Sequence, residues 1–272
     1  MSAPVPRGLI GVLHLPAMPG DPAYASGGFE GVLEHARRDA RALREGGIES
    51  VVIENFGSRP FPKGDARDPI PAHQVALMAI LTRELRGDFA SVGVNCLRND
   101  VVSALAIAAA SGASFVRVNV HVGAYVTDQG VIEGEAARSL RYRASLSAAA
   151  TIAICADVLV KHATPLAPID PAQATKDTLE RGMADAIVVT GTATGAPIDL
   201  AMLRQVREAA GDRPVMLGSG LTPESAPALL PHADAAIVGT WIKERGDVRA
   251  PVDAERTRAL VRACRGLFRA SS

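Results

Sequence analysis

Eight short apolar runs rich in Val, Ile and Ala recur along the chain, and a helix-compatible stretch follows each one. Strands are expected at residues 8–15, 49–56, 90–97, 114–121, 151–160, 185–191, 214–220 and 234–240. Helices are expected at 29–45, 71–85, 100–110, 135–148, 170–182, 199–210, 223–230 and 252–268. The punctuation agrees: Gly46-Gly47 stops the first helix, Pro71 suits a first helical turn, Asp100 can cap the third helix and Asp170-Pro171 opens the fifth. Parallel strands can be joined only through such crossovers. Eight units of about 34 residues each are the scale of a single (β/α)8 TIM barrel. The rival is an open doubly wound sheet, which would place a Gly-rich turn after the first strand. That position reads His14-Leu15-Pro16 instead. No linker, low-complexity tract or charge block divides the chain, so residues 1–272 are expected to form one domain.

Aromatic residues make up only 4% of the chain against 48% hydrophobic residues, so small aliphatic side chains must fill the core. Twenty-nine basic residues balance 29 acidic ones, which argues against a nucleic-acid partner, since a basic domain would be expected for one. The three cysteines, Cys96, Cys155 and Cys264, form no CxxC pair and suit a reducing compartment. The N-terminal residues lack the apolar core of a signal peptide, and no run approaches the length of a membrane span. A cytoplasmic location without a transmembrane segment is therefore expected.

In this fold, function lives at the C-terminal ends of the strands. The fourth strand alternates valines with Arg117, Asn119 and His121, three polar residues on one face of a buried strand. Burying them is costly unless they are paired or functional. The fifth strand ends with Asp157, Lys161 and His162. Asp157 and Lys161 are four residues apart and would share a face in extended backbone; they could serve as general base and acid, or Lys161 as a Schiff-base amine. A buried ion pair without chemistry is the alternative. Glu54 and Asn55 on the second strand, Asn95 and Arg98 at the third and His14 on the first complete the polar set. Glu54 is a candidate acid or base. A His, Glu and Asp set could hold a divalent metal, yet no HxH or HExxH spacing supports one, and the sequence requires no cofactor.

The last strands carry a different signal. Gly218-Ser219-Gly220 closes the seventh and Gly239-Thr240 the eighth. Glycines there let backbone N–H groups approach a phosphate, and these loops are the common phosphate site of the fold. The run from Thr190 and Gly191 to Gly195 could extend the site or close over it. The loops 17–28 and 57–68, and the stretch after the fourth strand with Asp128, could cover a ligand. Five arginines on the last helix read as the solvated face of an outer helix, with weak membrane-surface contact as the other reading.

Several of these runs resemble one family: IENFGSRPF, VGVNCLRND, FVRVNVHVGAYVTDQGVIEGEA, ADVLVKHA, KDTLERGMADAIVVTGTATG and GSG are similar to segments of the BtpA family, which includes SgcQ-like proteins. The resemblance runs from His14 to the last helix. It implies a barrel of the ribulose-phosphate-binding kind. It implies little about chemistry: cyanobacterial members are linked to photosystem I accumulation, others lie beside sugar-handling genes, and no catalytic residue carries over. The residues favour an enzyme of isomerase, aldolase or lyase type acting on a small phosphorylated sugar or nucleoside-derived metabolite. A non-catalytic assembly or regulatory factor, as in photosystem I biogenesis, is the alternative. A homo-oligomer is compatible with either.

Overall fold

The computed structural model describes residues 3–191 and 195–270. Its strands, in chain order, are β1 (Gly8–His14), β2 (Ser50–Glu54), β3 (Ser91–Asn95), β4 (Phe115–Val118), β5 (Ala124–Thr127), β6 (Gly130–Glu133), β7 (Ala153–Val158), β8 (Ala163–Pro165), β9 (Ala186–Val189), β10 (Val215–Leu217) and β11 (Ala235–Val238). Eight of them close into a parallel barrel in the order β1-β11-β10-β9-β7-β4-β3-β2. The outer helices are α1 (Gly28–Glu45), α2 (Ala72–Leu85), α3 (Val101–Ser111), α4 (Ala136–Ser145), α5 (Pro171–Lys176), α6 (Leu200–Ala210), α7 (Ala226–Leu229) and α8 (Ala254–Cys264). Asp100, Asp170, Asp199 and Asp253 each accept a hydrogen bond from a first-turn N–H and so fix four helix starts.

Alternation along the strands sorts side chains into two layers. Ile10, Val12, Val52, Phe115, Cys155, Val188, Met216 and Ile237 fill the barrel interior, and Ala3 and Val5 plug its N-terminal end. Leu13, Val51, Ile53, Val94, Ile187 and their neighbours face outward onto the helices. Gly93 is needed inside: a Cβ there would lie 2.2 Å from the Phe115 ring, which supplies interior volume in an aromatic-poor chain.

Three expectations are corrected. The stretch after the fourth strand is a β5–β6 hairpin extended by β8 into a small antiparallel sheet, packed on Val120, Tyr125, Ile132 and Val160. The fourth strand stops at Val118 because the Asn99 side chain takes both backbone groups of Val120, donating to its carbonyl and accepting from its N–H at 2.8 Å each. The fifth expected strand ends at Val158, since Leu159 turns into the left-handed region at φ 52°. No described helix is long and apolar enough to cross a membrane. Several arginines near α8 have intramolecular partners: Arg256 stacks on Trp241, Arg258 bonds Glu255 and Arg269 reaches Asp212.

Lys243, just past β11, is 1% exposed and donates to Asp39 of α1 at 2.7 Å. The pair joins the first and last units of the barrel. Asp39→Leu would leave the ammonium buried and unpaired, at a cost of about 3–5 kcal/mol. A lowered thermal midpoint is expected for Asp39→Leu, with at least half of the loss recovered in Asp39→Leu/Lys243→Met. Equal midpoints for the two variants would contradict it.

Candidate functional site

Each barrel strand carries its interior face two residues beyond its last interior position, Gly93 serving on β3. Those positions form the floor of the site: His14, Glu54, Asn95, Arg117, Asp157, Thr190, Gly218 and Gly239. Six have polar side chains, and neighbours pair. Asn95 donates to Glu54 Oε2 at 2.6 Å. Arg117 Nε and Nη2 donate to the two oxygens of Asp157, both at 2.9 Å. His14 Nε2 lies 3.8 Å from Glu54 Oε1. The other two floor positions, on adjacent strands β10 and β11, are glycines. A Cβ at Gly218 would stand 2.6 Å from Val188 Cγ1 and 2.7 Å from Thr190 Cγ2, and one at Gly239 2.7 Å from His14 Cε1. Neighbouring side chains thus leave room only for glycine at both positions.

Over these two glycines lies a cavity of about 160 Å³ lined by Gly218, Ser219, Gly220, Gly239, Thr240 and Thr222, among others. It shares Glu54, Arg117, Lys161 and Thr240 with a wider cleft of about 690 Å³, to which Asn95, Arg98, Asn119, Asp128 and His162 contribute. The two form one continuous site at the C-terminal face. The hairpin turn between β5 and β6 supplies Asp128.

Electrostatics in the cleft follow from burial and from Arg117. Burial penalises the Arg117 charge, but Asp157 more than offsets this, so its pKa is raised and it is a fixed cation. Burial, with Arg117 and Arg98 adding repulsion, lowers Lys161 to about 8 against the opposing pull of Glu54 and Asp157. No carboxylate among the described residues lies within 4 Å of its ammonium. Burial, then Lys243, Lys161 and Arg117, push His14 well below its usual value, so it is a neutral imidazole. Its Nδ1 is buried without a partner. Burial and Lys161 lower His162 as well.

Most of the expected residues meet here: His14, Glu54, Asn95, Arg117, Asn119, Asp128, Lys161, His162, Gly218, Ser219, Gly220, Gly239 and Thr240 line the joined cavities. Five lie behind the surface. Asp157 is sealed under Arg117 and Asn119, which donates to it at 3.3 Å. Asn55 clamps Leu97, accepting from its N–H at 2.7 Å and donating to its carbonyl at 3.2 Å. His121 Nε2 pairs with the Gly182 carbonyl, because the chain has left the strand by then. Thr190 Oγ1 accepts from Lys161 N–H, and Gly191 N–H donates to Ser219 Oγ. Residues 192–194 of the run after β9 lie outside the described residues, whereas Gly195 lines the smaller cavity. Among the described residues no group of three His, Cys, Asp or Glu side chains is placed to hold a metal.

Strand-end reasoning missed Phe56, Arg59, Phe61, Trp241 and Arg249, which line the site from loops. Loop residues have no periodicity to reveal them. The usable signal was the RPF run in the 57–68 loop.

With the geometry established, comparison with known proteins adds ancestry. Residues 6–266 match the model of the BtpA family. The chain belongs to the BtpA family. It is 44% identical over 254 residues to an uncharacterized protein of Pyrococcus furiosus, covering 93% of each chain. It is 42% identical over 255 residues to the photosystem I biogenesis protein BtpA of Synechocystis, covering 94% of this chain and 87% of that one. Among solved structures it resembles orotidine 5'-phosphate decarboxylase from Pyrococcus horikoshii, with a TM-score of 0.56 at 16% identity, over 95% of this chain and 99% of that one. It also resembles thiamine phosphate pyrophosphorylase from Pyrococcus furiosus, with a TM-score of 0.55 at 14% identity, over 95% and 97%. At these identities the likeness is one of fold, and it confirms the TIM barrel.

The Lys161 environment can be tested directly. Its amine is expected to titrate near pH 8, so its labelling by an amine-selective reagent should rise through that pH. An NMR titration of the isotopically labelled lysine with a midpoint near the ordinary ~10.4 would contradict the assignment.

Proposed function

We propose that the chain is an enzyme that binds a small phosphorylated sugar or nucleoside-derived metabolite and moves a proton on it in an isomerase-, aldolase- or lyase-type step. One observation carries this reading. A glycine-lined cavity at the ends of β10 and β11 adjoins a cluster of ionisable groups at the C-terminal face of a barrel. Ser219, Gly220, Gly239 and Thr240 would hold the phosphate through backbone N–H groups and hydroxyls, while Gly218, whose N–H donates to the Val189 carbonyl, would admit it by lacking a side chain. The reacting part of the ligand would then lie over Arg117, Glu54 and Lys161. Arg117, held rigidly by Asp157, supplies a fixed positive charge for a developing oxyanion or enolate. Lys161, with a pKa of about 8, is close enough to neutrality to give and take a proton, or to attack a carbonyl as a free amine. Glu54, held by Asn95, is the partner base. Asp157 serves as a positioning residue. The fold relatives named for phosphorylated compounds support the reading by analogy.

A second reading, a non-catalytic assembly factor, is favoured by the name of the Synechocystis relative. It leaves the buried Arg117 and Glu54 and the half-buried Lys161, all lining the cleft, without a purpose.

A thermal-shift panel of sugar phosphates and nucleotides separates the two. A ligand at about 100-fold its Kd stabilises by about 2.7 kcal/mol, a shift of several degrees for a domain of this size. Thr240→Asp, which sets a carboxylate at the cradle, should abolish the shift while keeping the unliganded midpoint. No response to any phosphorylated compound would favour the assembly factor.

A further inference from the structure

Three arginines among the described residues are buried: Arg98, Arg117 and Arg143. Two have carboxylate partners, Asp157 for Arg117 and Asp185 for Arg143. Arg98 is the exception. It is 5% exposed, and no carboxylate among the described residues lies within 4 Å of it. Its Nη2 donates to the Lys161 carbonyl at 2.7 Å, and its Nε has no partner. A buried guanidinium without a counter-ion is costly, and burial holds its pKa below the ordinary value. Yet Arg98 lines the wide cleft, which shares Lys161 with the glycine-lined cavity, and its Nη2 is held on the Lys161 carbonyl. Arg59 and Arg249 line the same cleft from loops. The carboxylates that line it, Glu54, Asp128 and Asp247, do not pair with Arg98. Asn55 holds Leu97, the residue before it, through both backbone groups. The fork is thus buried, with its Nε unpartnered and with Asp157, Asp128 and Glu54 attracting it only from beyond 4 Å.

We propose that Arg98 binds a second anionic group, a carboxylate or a phosphate, on a ligand whose first phosphate occupies the β10–β11 cradle. The substrate class is then a doubly anionic metabolite, a sugar bisphosphate or a phosphorylated sugar acid. The planar guanidinium matches either anion through paired N–H donors, which an ammonium would not do. The two anchors hold the middle of the ligand over Lys161, which both cavities share. This inference rests on the phosphate reading of the cradle, and the experiment below separates the two.

Calorimetric titration of the full chain with fructose 6-phosphate, fructose 1,6-bisphosphate and 6-phosphogluconate tests it. At least one doubly anionic probe should bind about 10-fold or more tighter than fructose 6-phosphate, and which one does so identifies the second group. Arg98→Met should erase that preference while leaving fructose 6-phosphate within about two-fold, and Arg98→Lys should keep part of it. Thr240→Asp should weaken all three probes. The unliganded midpoint of Arg98→Met should hold or rise, because an unpaired buried charge has been removed. The proposal is overturned if fructose 6-phosphate binds as tightly as both other probes, if Arg98→Met weakens all three alike, or if it lowers the unliganded midpoint by several degrees. If no probe binds, or Thr240→Asp weakens none, the cradle reading falls and this one with it.

Discussion

The bidentate pair between Arg117 and Asp157 ties β4 to β7 at the rim of the barrel, with side chains 3% and 0% exposed. Removing one partner would strand the other in a low-dielectric site. The pair therefore sets the local charge pattern permanently. Burial, with the Arg117 cation adding repulsion, lowers the pKa of Lys161 and His14, so both are weaker bases and lose a proton more readily than their solvent-exposed counterparts. It also occupies both oxygens of Asp157, which leaves Glu54 and Lys161 among the ionisable groups that line the cleft.

The floor of the site is a direct consequence of strand periodicity. Interior positions that are apolar one step down, such as Val12, Val52, Phe115 and Cys155, become His14, Glu54, Arg117 and Asp157 one step up. Where that series reaches β10 and β11 it ends in glycine, and the cavity opens there. Closure of the barrel makes these residues neighbours although they are spread over most of the chain. The small interior side chains of an aromatic-poor sequence leave Phe115 to fill the middle, with Gly93 making room for it.

Much of this was legible in the sequence because period-two alternation is a strong local signal. The eight units, the polar face led by Arg117 and the glycines at 218–220 and 239 all follow from it. Reading failed where alternation stopped. Asp157 and Lys161 were expected on one extended face, but Leu159 turns left-handed between them, and Lys161 reaches the cleft by a different route. His121 was extrapolated past Val118, where Asn99 had already ended the strand. The β5–β6 hairpin lies outside the eight expected strands, although its turn is what delivers Asp128. Arg59 and Arg249 come from loops whose paths only tertiary packing defines.

The central claim is that phosphate binds in the cavity at the C-terminal ends of β10 and β11, and a crystal structure of the chain soaked with a sugar phosphate tests it most directly. The account predicts phosphate oxygens within hydrogen-bonding distance of the Gly220 or Thr240 backbone N–H groups, with the sugar extending over Lys161. Phosphate density elsewhere on the barrel, with that cavity holding solvent alone, would contradict it.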